Sequence, residues 1–175
     1  MTAIRQHEAL AQAYDGITAV VTPLDDAGLQ RPTRCRGWLV ADLLFHVLCD
    51  AQRALVALAS PAPAAARAAA AADPDGYVTT QGHVLRVPDF LATLTTEAVI
   101  HHLDLVVDLP DAPLPAAAPT RVAVATVDGL LSDDAVRPTG WDDRDYLLKA
   151  TGRVPLTDRD RLELGEAAGW FPLLG

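Results

Sequence analysis

Glu97 and His101 stand four residues apart in a stretch, residues 88–105, whose apolar side chains recur at helical spacing. On a helix, this spacing places the two side chains one above the other on a single face. A carboxylate and an imidazole surrounded by apolar side chains need a partner, because burying polar groups without one is unfavourable. A divalent metal ion can bind one carboxylate oxygen and one ring nitrogen together. The spacing therefore predicts part of a metal site.

His46 lies in a second apolar stretch, which runs from Leu39 to about residue 59. A lone histidine in such a helix is more often a satisfied core residue than a ligand. Together with Glu97 and His101, however, it completes a set of three nitrogen and oxygen ligands, and catalytic zinc sites use three protein ligands with one open position. We therefore predict that His46, Glu97 and His101 bind a divalent metal, most consistent with Zn²⁺, although Ni²⁺, Fe²⁺ and Mn²⁺ also suit this set.

Two acids lie one helical turn beyond these predicted ligands. Asp104 follows His101, and its position suits a carboxylate that orients a metal ligand; a cap or a surface acid is an equally reasonable interpretation. Asp50 follows His46 and is a weaker candidate for the same role.

Four further residues have chemistry that the sequence leaves open. Arg86 and Arg153 could hold a substrate carboxylate, but nothing in the sequence singles out either one. His83 could be a fourth ligand, and we favour a surface histidine because it precedes the helix in an extended segment. Cys35 could be a nucleophile, and we favour a small packing residue because the loop around it lacks a paired base.

Helices must position these residues, and the composition favours them. Half of the 175 residues are hydrophobic and only 5% are aromatic, so the core must be built from Ala, Leu and Val. We predict the helix at 39–59 to be the most buried, because it is apolar nearly all round. Residues 60–75 are Pro/Ala-rich and predict a connector, and residues 76–87 have weak extended character without forming a sheet. The predicted helices cover residues 2–21, 39–59, 88–105, 120–131, 142–152 and 157–165.

Charge and composition exclude several classes of function. The net charge is −9 and the single lysine is Lys149, which argues against a nucleic-acid partner. Cys35 and Cys49 do not make a disulfide framework. The first residues show no signal sequence, and we see no apolar run approaching a bilayer span, so we expect a cytoplasmic protein without a membrane partner.

Two motifs resemble those of the mycothiol-dependent maleylpyruvate isomerase N-terminal domain family. Residues 32–46 match the pattern PT-x-C-x-GW-x-V-x-DLL-x-H, and residues 97–105 match E-x-x-x-H-x-x-DL. The resemblance implies an all-α fold, a DinB-like metal-binding four-helix bundle over residues 1–131 with a short helical C-terminal extension, residues 132–175, packed on it. It also implies that His46, Glu97 and His101 are the metal ligands, with zinc in the best-understood members.

The resemblance implies an enzyme that uses a low-molecular-weight thiol, mycothiol, as co-substrate. A bound metal would lower the pKa of this thiol, and the thiolate would then add to a small electrophile, for S-transfer or for isomerisation. We expect a monomer or a homodimer. Two alternatives stay open: a metal-assisted hydrolase on the same bundle, with Asp104 or Asp50 as general base, and a non-catalytic, metal-stabilised binding or stress-response module.

Overall fold

The protein, described here from a computed structural model, is mostly helical. The structure describes residues 5–57, 72–80, 83–109, 111–131 and 137–174. Most of the Pro/Ala-rich segment and the predicted helix start at residue 2 lie outside these ranges. The helices are α1 (Gln6–Val21), α2 (Asp26–Leu29), α3 (Val40–Ala57), α4 (Val87–Leu105), α5 (Ala117–Asp128), α6 (Asp143–Ala150) and α7 (Asp158–Leu164), with 3₁₀ turns at Val106–Asp108 and Gly165–Trp170 and strands β1 (Tyr77–Thr80) and β2 (His83–Arg86).

Helix α4 is the central element of the fold and packs against α1, α3 and α5. Pro88 in its first turn has no amide hydrogen to leave unsatisfied, and Asp89 there suits the positive end of the helix dipole. Its length and hydropathy, taken with the 3₁₀ turn, are enough for a membrane span, so the expectation that no run approaches this length is wrong. Because 78% of that apolar window is buried inside the protein, the helix has the burial of a core helix.

Helix α3 is less buried than its sequence predicts. Phe45 is 68% exposed and Leu48 is 54% exposed, whereas Leu43 and Ala54 are fully buried. The prediction that this helix is the most buried is wrong, because composition reports how apolar a helix is and not which of its faces another element covers.

The segment before α4 forms a two-stranded antiparallel sheet. Tyr77 pairs with Arg86, and Thr80 pairs with His83. The prediction of extended residues without a sheet is therefore wrong, and the all-α class holds only apart from this hairpin. The hairpin is anchored on one side by Val78, which is buried, while Tyr77 and Val84 on its other side are exposed. Its second strand leads directly into α4.

The C-terminal segment shares its hydrophobic core with the preceding helices. Tyr146 and Leu147 of α6 are fully buried in the same cluster of apolar side chains as Leu43 and Leu103. Asp142 and Thr157 cap α6 and α7 by accepting hydrogen bonds from backbone amides in the first turn. The C-terminal helices thus pack on the rest of the protein, and the domain boundary at residues 131–132 stays a prediction.

Candidate metal centre

His46 of α3 and His101 of α4 lie against each other. Their ring centroids are 4.9 Å apart and the ring planes are almost perpendicular. His101 is nearly buried, at 8% side-chain exposure, whereas about a third of the His46 side chain is exposed. The two predicted histidines therefore converge from two different helices at a point that solvent can reach.

Glu97 and Asp50 add carboxylates to the two rings. Glu97 lies one turn before His101, with 3.5 Å between Glu97 Oε2 and His101 Nε2. Asp50 lies one turn after His46, with 3.2 Å between Asp50 Oδ2 and His46 Nε2, and its other oxygen accepts a hydrogen bond from Arg53. Zinc bonds of about 2.1 Å at tetrahedral angles separate neighbouring ligand atoms by roughly 3.4 Å. Each pair of atoms therefore has a spacing that two ligands of one ion could have, and it is also the spacing of a hydrogen bond.

The second ring nitrogen of His101 faces Asp104. Its Nδ1 lies 3.2 Å from Asp104 Oδ2, and the Asp104 side chain is fully buried. In the neutral ring, a proton on Nδ1 donates to this carboxylate and leaves Nε2 free for a metal. In the protonated ring, Nε2 also carries a proton and donates to Glu97. Carboxylate–histidine pairs orient metal ligands in this way. Asp104 thus has the contact predicted for an orienting carboxylate.

The electrostatics of these groups follow from their contacts. Burial opposes protonation of His101, but its hydrogen bonds with Asp104 and Glu97 outweigh burial and raise its pKa. Burial and the neighbouring His101 lower the pKa of His46, which favours the neutral ring that metals bind. The hydrogen bond from His101 lowers the pKa of Glu97 and keeps it ionised.

Two cavities adjoin these residues. The larger has a volume of about 430 Å³ and opens to solvent; His46, Asp50, Arg53 and Glu97 line it together with His83 of the hairpin. A much smaller cavity, of about 10 Å³, is lined by Asp50, Glu97 and His101 among others, and this is the volume of about one water molecule. Asp50, Glu97 and His101 therefore line a space for one small ion. His46 lines the adjoining chamber, which can hold a small molecule.

The donor set fits a divalent metal. One group of possible ligand atoms, from His46, Asp50 and His101, lies within 4.8 Å of one another. Glu97 is not part of this group, but its Oε2 lies 3.5 Å from His101 Nε2. A second group, Cys35, His101 and Asp104, also meets the 4.8 Å limit, but Arg153 already contacts both oxygens of its carboxylate. In the first group, Arg53 pairs with one oxygen of Asp50 and the other oxygen faces His46. The first group is the better metal site, and the choice of His46, Glu97 and His101 as ligands stays a prediction, with Asp50 as a further candidate.

The two arginines predicted to hold a substrate carboxylate do not line the larger cavity, and their role stays a prediction. Arg86 is exposed at the start of α4 and does not line the larger cavity. Arg153 donates hydrogen bonds to Asp104 and to the backbone oxygen of Thr151, so these donors are engaged within the protein. Within the part of the chain that the structure describes, the arginine that lines the cavity is Arg53. The sequence cannot separate these arginines, because their contacts depend on elements distant in the chain.

Two further histidines, His83 and His102, have different surroundings. His83 is exposed on β2 and lines the larger cavity. His102 is buried, its Nε2 lies 2.8 Å from the backbone oxygen of Pro113, and burial lowers its pKa. His102 is therefore a satisfied core residue, as a buried histidine usually is.

Sequence reasoning missed three neighbours of the site. The Trp38 ring lies 5.3 Å from the His46 ring, centroid to centroid, at a steep angle. Tyr14 of α1 lines the small cavity, and burial raises its pKa to about 12. Arg53 lies two turns from His46 on the same helix and could have been found from that spacing. Tyr14 carries no such signal, because nothing local in α1 shows which residue faces α4.

The comparison with known families agrees with the first of the two sequence motifs. The sequence model of the mycothiol maleylpyruvate isomerase N-terminal domain family matches residues 10–67. This confirms the resemblance over about a third of the chain, a stretch that includes His46 but neither Glu97 nor His101. No curated protein and no solved structure matches the chain.

Proposed function

We propose that this protein is a metal-dependent enzyme that uses mycothiol for S-transfer to, or isomerisation of, a small electrophilic substrate. The observation that carries the proposal is the convergence of His46, His101 and Glu97 beside an open cavity of about 430 Å³. The family match over residues 10–67 supports the thiol.

The arrangement of the long helices supports a DinB-like four-helix bundle. Helix α4 packs against α1, α3 and α5, and α1 also packs against α5. In helical bundles, metal sites are built from side chains on facing helices. Here α3 supplies His46 and α4 supplies Glu97 and His101, which is the distribution such a site needs.

A divalent ion, zinc in our proposal, would be held by His46, Glu97 and His101 and would lower the pKa of a thiol bound to it. The residues of the chain perform the remaining tasks. Asp104 holds the proton of His101 Nδ1, so that Nε2 stays available as a ligand. Asp50 lines the cavity and is placed to accept the proton that the thiol loses. In S-transfer, the sulfur forms a bond to the electrophilic carbon while the leaving group departs with its electron pair. In isomerisation, no group departs: the sulfur adds to an unsaturated carbon whose π electron pair moves onto the conjugated electron-withdrawing group, and this pair returns when the C–S bond breaks after rotation.

The cavity walls indicate the class of the electrophile. The larger cavity is lined by polar and apolar side chains. The polar ones include Arg53, His83 and Thr93, and the apolar ones include Phe90 and Leu94. This mixture suits a small molecule with an apolar body and an anionic group. Arg53 pairs with Asp50 through Nη2, but its side chain is 56% exposed, and it replaces Arg86 and Arg153 as our candidate for binding that group. The expected cytoplasmic location, the monomeric or homodimeric state and the absence of nucleic-acid and membrane partners belong to the same proposal.

A metal-assisted hydrolase is the second candidate, and the position of Asp50 favours it. A hydrolase needs a general base beside the open metal position, and Asp50 contacts His46 at the cavity. The two functions differ in whether turnover requires a thiol.

Incubation of the zinc-loaded protein with mycothiol and chlorodinitrobenzene tests the proposal. We expect a thiol conjugate, followed by absorbance, that forms with the parent protein and with His7→Gln but not with His46→Ala. Ester hydrolysis without any thiol would instead support the hydrolase. Metal that raises the melting temperature with no turnover across a panel of thiols and electrophiles would indicate a non-catalytic module and contradict our proposal.

A further inference from the structure

Arg153 connects the C-terminal segment to the candidate metal centre. Its Nε donates to Asp104 Oδ1 and Oδ2 at 3.1 and 3.2 Å, and its Nη2 donates to Oδ2 at 3.0 Å. Nη1 donates to the backbone oxygen of Thr151 at 3.1 Å, which fixes the guanidinium plane. Planar arginine–carboxylate pairs of this kind have a defined geometry as well as strength.

The backbone around Arg153 is fixed in turn. Gly152 has a φ of +70°, which favours glycine, and a side-chain carbon there would lie 3.3 Å from Pro172. The amides of Arg153 and Val154 both donate to the backbone oxygen of Leu148, at 2.8 and 3.0 Å. Arg153 therefore leaves a rigid turn at the end of α6 and reaches Asp104 of α4 from a defined position.

Among the described residues, Arg153 is the one arginine or lysine that pairs with Asp104. The Asp104 side chain is fully buried and also receives hydrogen bonds from His101 Nδ1 and Cys35 Sγ, each at 3.2 Å. A buried carboxylate is retained only when paired and hydrogen-bonded, so its position depends on Arg153. The chain of contacts runs from Arg153 through Asp104 to the ring of His101.

We propose that Arg153 is a positioning residue of the metal centre: it holds Asp104 so that Asp104 keeps the proton of His101 on Nδ1 and Nε2 free for the metal. This inference rests on the proposed function and deepens it, because it makes the C-terminal segment part of the site. A substrate-binding role for Arg153 does not fit, since the guanidinium is directed at Asp104 and Thr151 rather than into the larger cavity.

Zinc affinity of matched variants tests the proposal. Arg153→Met removes the contact, and Arg153→Lys keeps the charge without the planar pair. Arg159→Met is the control, because Arg159 lies in the same C-terminal segment and pairs with Glu163 at the surface. Loss of a partner of this kind lowers metal affinity by about 10–100-fold. We expect Arg153→Met to lose zinc affinity by this factor, Arg153→Lys to lose less, and Arg159→Met to keep the affinity of the parent protein. We also expect the visible spectrum of bound Co²⁺ to change in both Arg153 variants. Unchanged affinity and spectrum in folded Arg153 variants would overturn the proposal.

A second measurement needs no metal and separates this inference from the proposed function. In metal-free protein with ¹⁵N-labelled histidine at alkaline pH, we expect His101, assigned by comparison with His101→Gln, to show the Nδ1–H tautomer. Arg153→Lys should shift it toward a mixture of tautomers. If the parent protein binds no zinc or cobalt, the proposed function fails. The tautomer of His101 can still be measured in that case, and it reports whether Arg153 affects His101. An unchanged tautomer in Arg153→Lys would overturn that link, even if Arg153→Met does not fold.

Discussion

The imidazole rings of His46 and His101 meet nearly at right angles, with 4.9 Å between their centroids. Trp38 lies against His46 from another side, and Asp104 holds His101 from behind. Each ring thus has one neighbour that fixes it and a carboxylate beside its Nε2 atom, Asp50 for His46 and Glu97 for His101. This preorganisation is what a metal centre requires of its ligands.

Cys35 should be an unreactive thiol. Its Sγ donates to Asp104, and burial together with the charge of this carboxylate raises the pKa of the Cys35 thiol to about 11. The thiolate, which is the reactive form, is therefore scarce at neutral pH. In a Cys49→Ser background, we expect iodoacetamide to alkylate Cys35 at least about tenfold more slowly at neutral pH than it alkylates an unfolded peptide, with the rate rising as the pH approaches 11. Peptide-like alkylation at neutral pH would contradict this assignment.

Removing the Cys35 thiol should also leave the metal in place. Cys35 belongs to the less suitable group of possible ligands, in which Arg153 already binds the carboxylate. We expect Cys35→Ala to retain the metal content of the parent protein by elemental analysis. Loss of metal in this variant would show that the ion binds beside Cys35 and Asp104 instead.

The buried Asp160 should make the C-terminal helices acid-sensitive. Burial opposes its ionisation, but hydrogen bonds from Lys149 Nζ, at 2.7 Å, the Thr157 amide and Trp141 Nε1 outweigh burial and hold the pKa of Asp160 far below its usual value. A carboxyl whose folded pKa is lowered contributes stability that is complete above its unfolded pKa, about 3.9, and is lost as the pH falls toward the folded value.

Denaturant unfolding checks this dependence. We expect Asp160→Asn to lower the free energy of unfolding at pH 7 by about 3–5 kcal/mol, because Lys149 is left buried without its partner. The difference between the variant and the parent protein should shrink below about pH 4. Asp158→Asn, an exposed position on the same helix, is the control. A pH-independent difference would show that Asp160 contributes through packing alone.

Gly16 should be intolerant of alanine. A Cβ at this position would lie 3.0 Å from Cε1 and Nδ1 of His102, and the contact of that ring with the Pro113 oxygen prevents it from moving away. The usual gain of about 0.5–1 kcal/mol from glycine to alanine in a helix is smaller than an overpacking cost of about 1–3 kcal/mol. We therefore expect Gly16→Ala to lower the melting temperature. Gly129→Ala should not lower the melting temperature, because the new carbon there makes only ordinary van der Waals contacts.

The helices of this protein were predictable because periodicity is a local property. The predicted helix at 88–105 is observed at Val87–Leu105, and the one at 142–152 at Asp143–Ala150. The hairpin was not predictable from local sequence, because its strands are only four residues long and are stabilised by pairing with each other and by the burial of Val78. The exposed face of α3 was not predictable either, since exposure depends on where the other helices pack.

Most of the candidate site residues were predicted from their spacing along one helix. This spacing placed Glu97, His101 and Asp104 on one face of α4, and a histidine in a second apolar helix supplied the remaining ligand candidate. The contact between Arg153 and Asp104 joins two segments that share no pattern, so only the folded structure shows it. The same holds for Tyr14 at the small cavity.

The central claim is that His46 and Glu97, from different helices, bind one ion together with His101. Zinc titration of metal-free protein by calorimetry, with elemental analysis of the dialysed product, tests it directly. We expect one equivalent of zinc in the parent protein and in His7→Gln, and no stoichiometric zinc in His46→Ala or Glu97→Ala. Full zinc content in both of the latter variants would contradict the site.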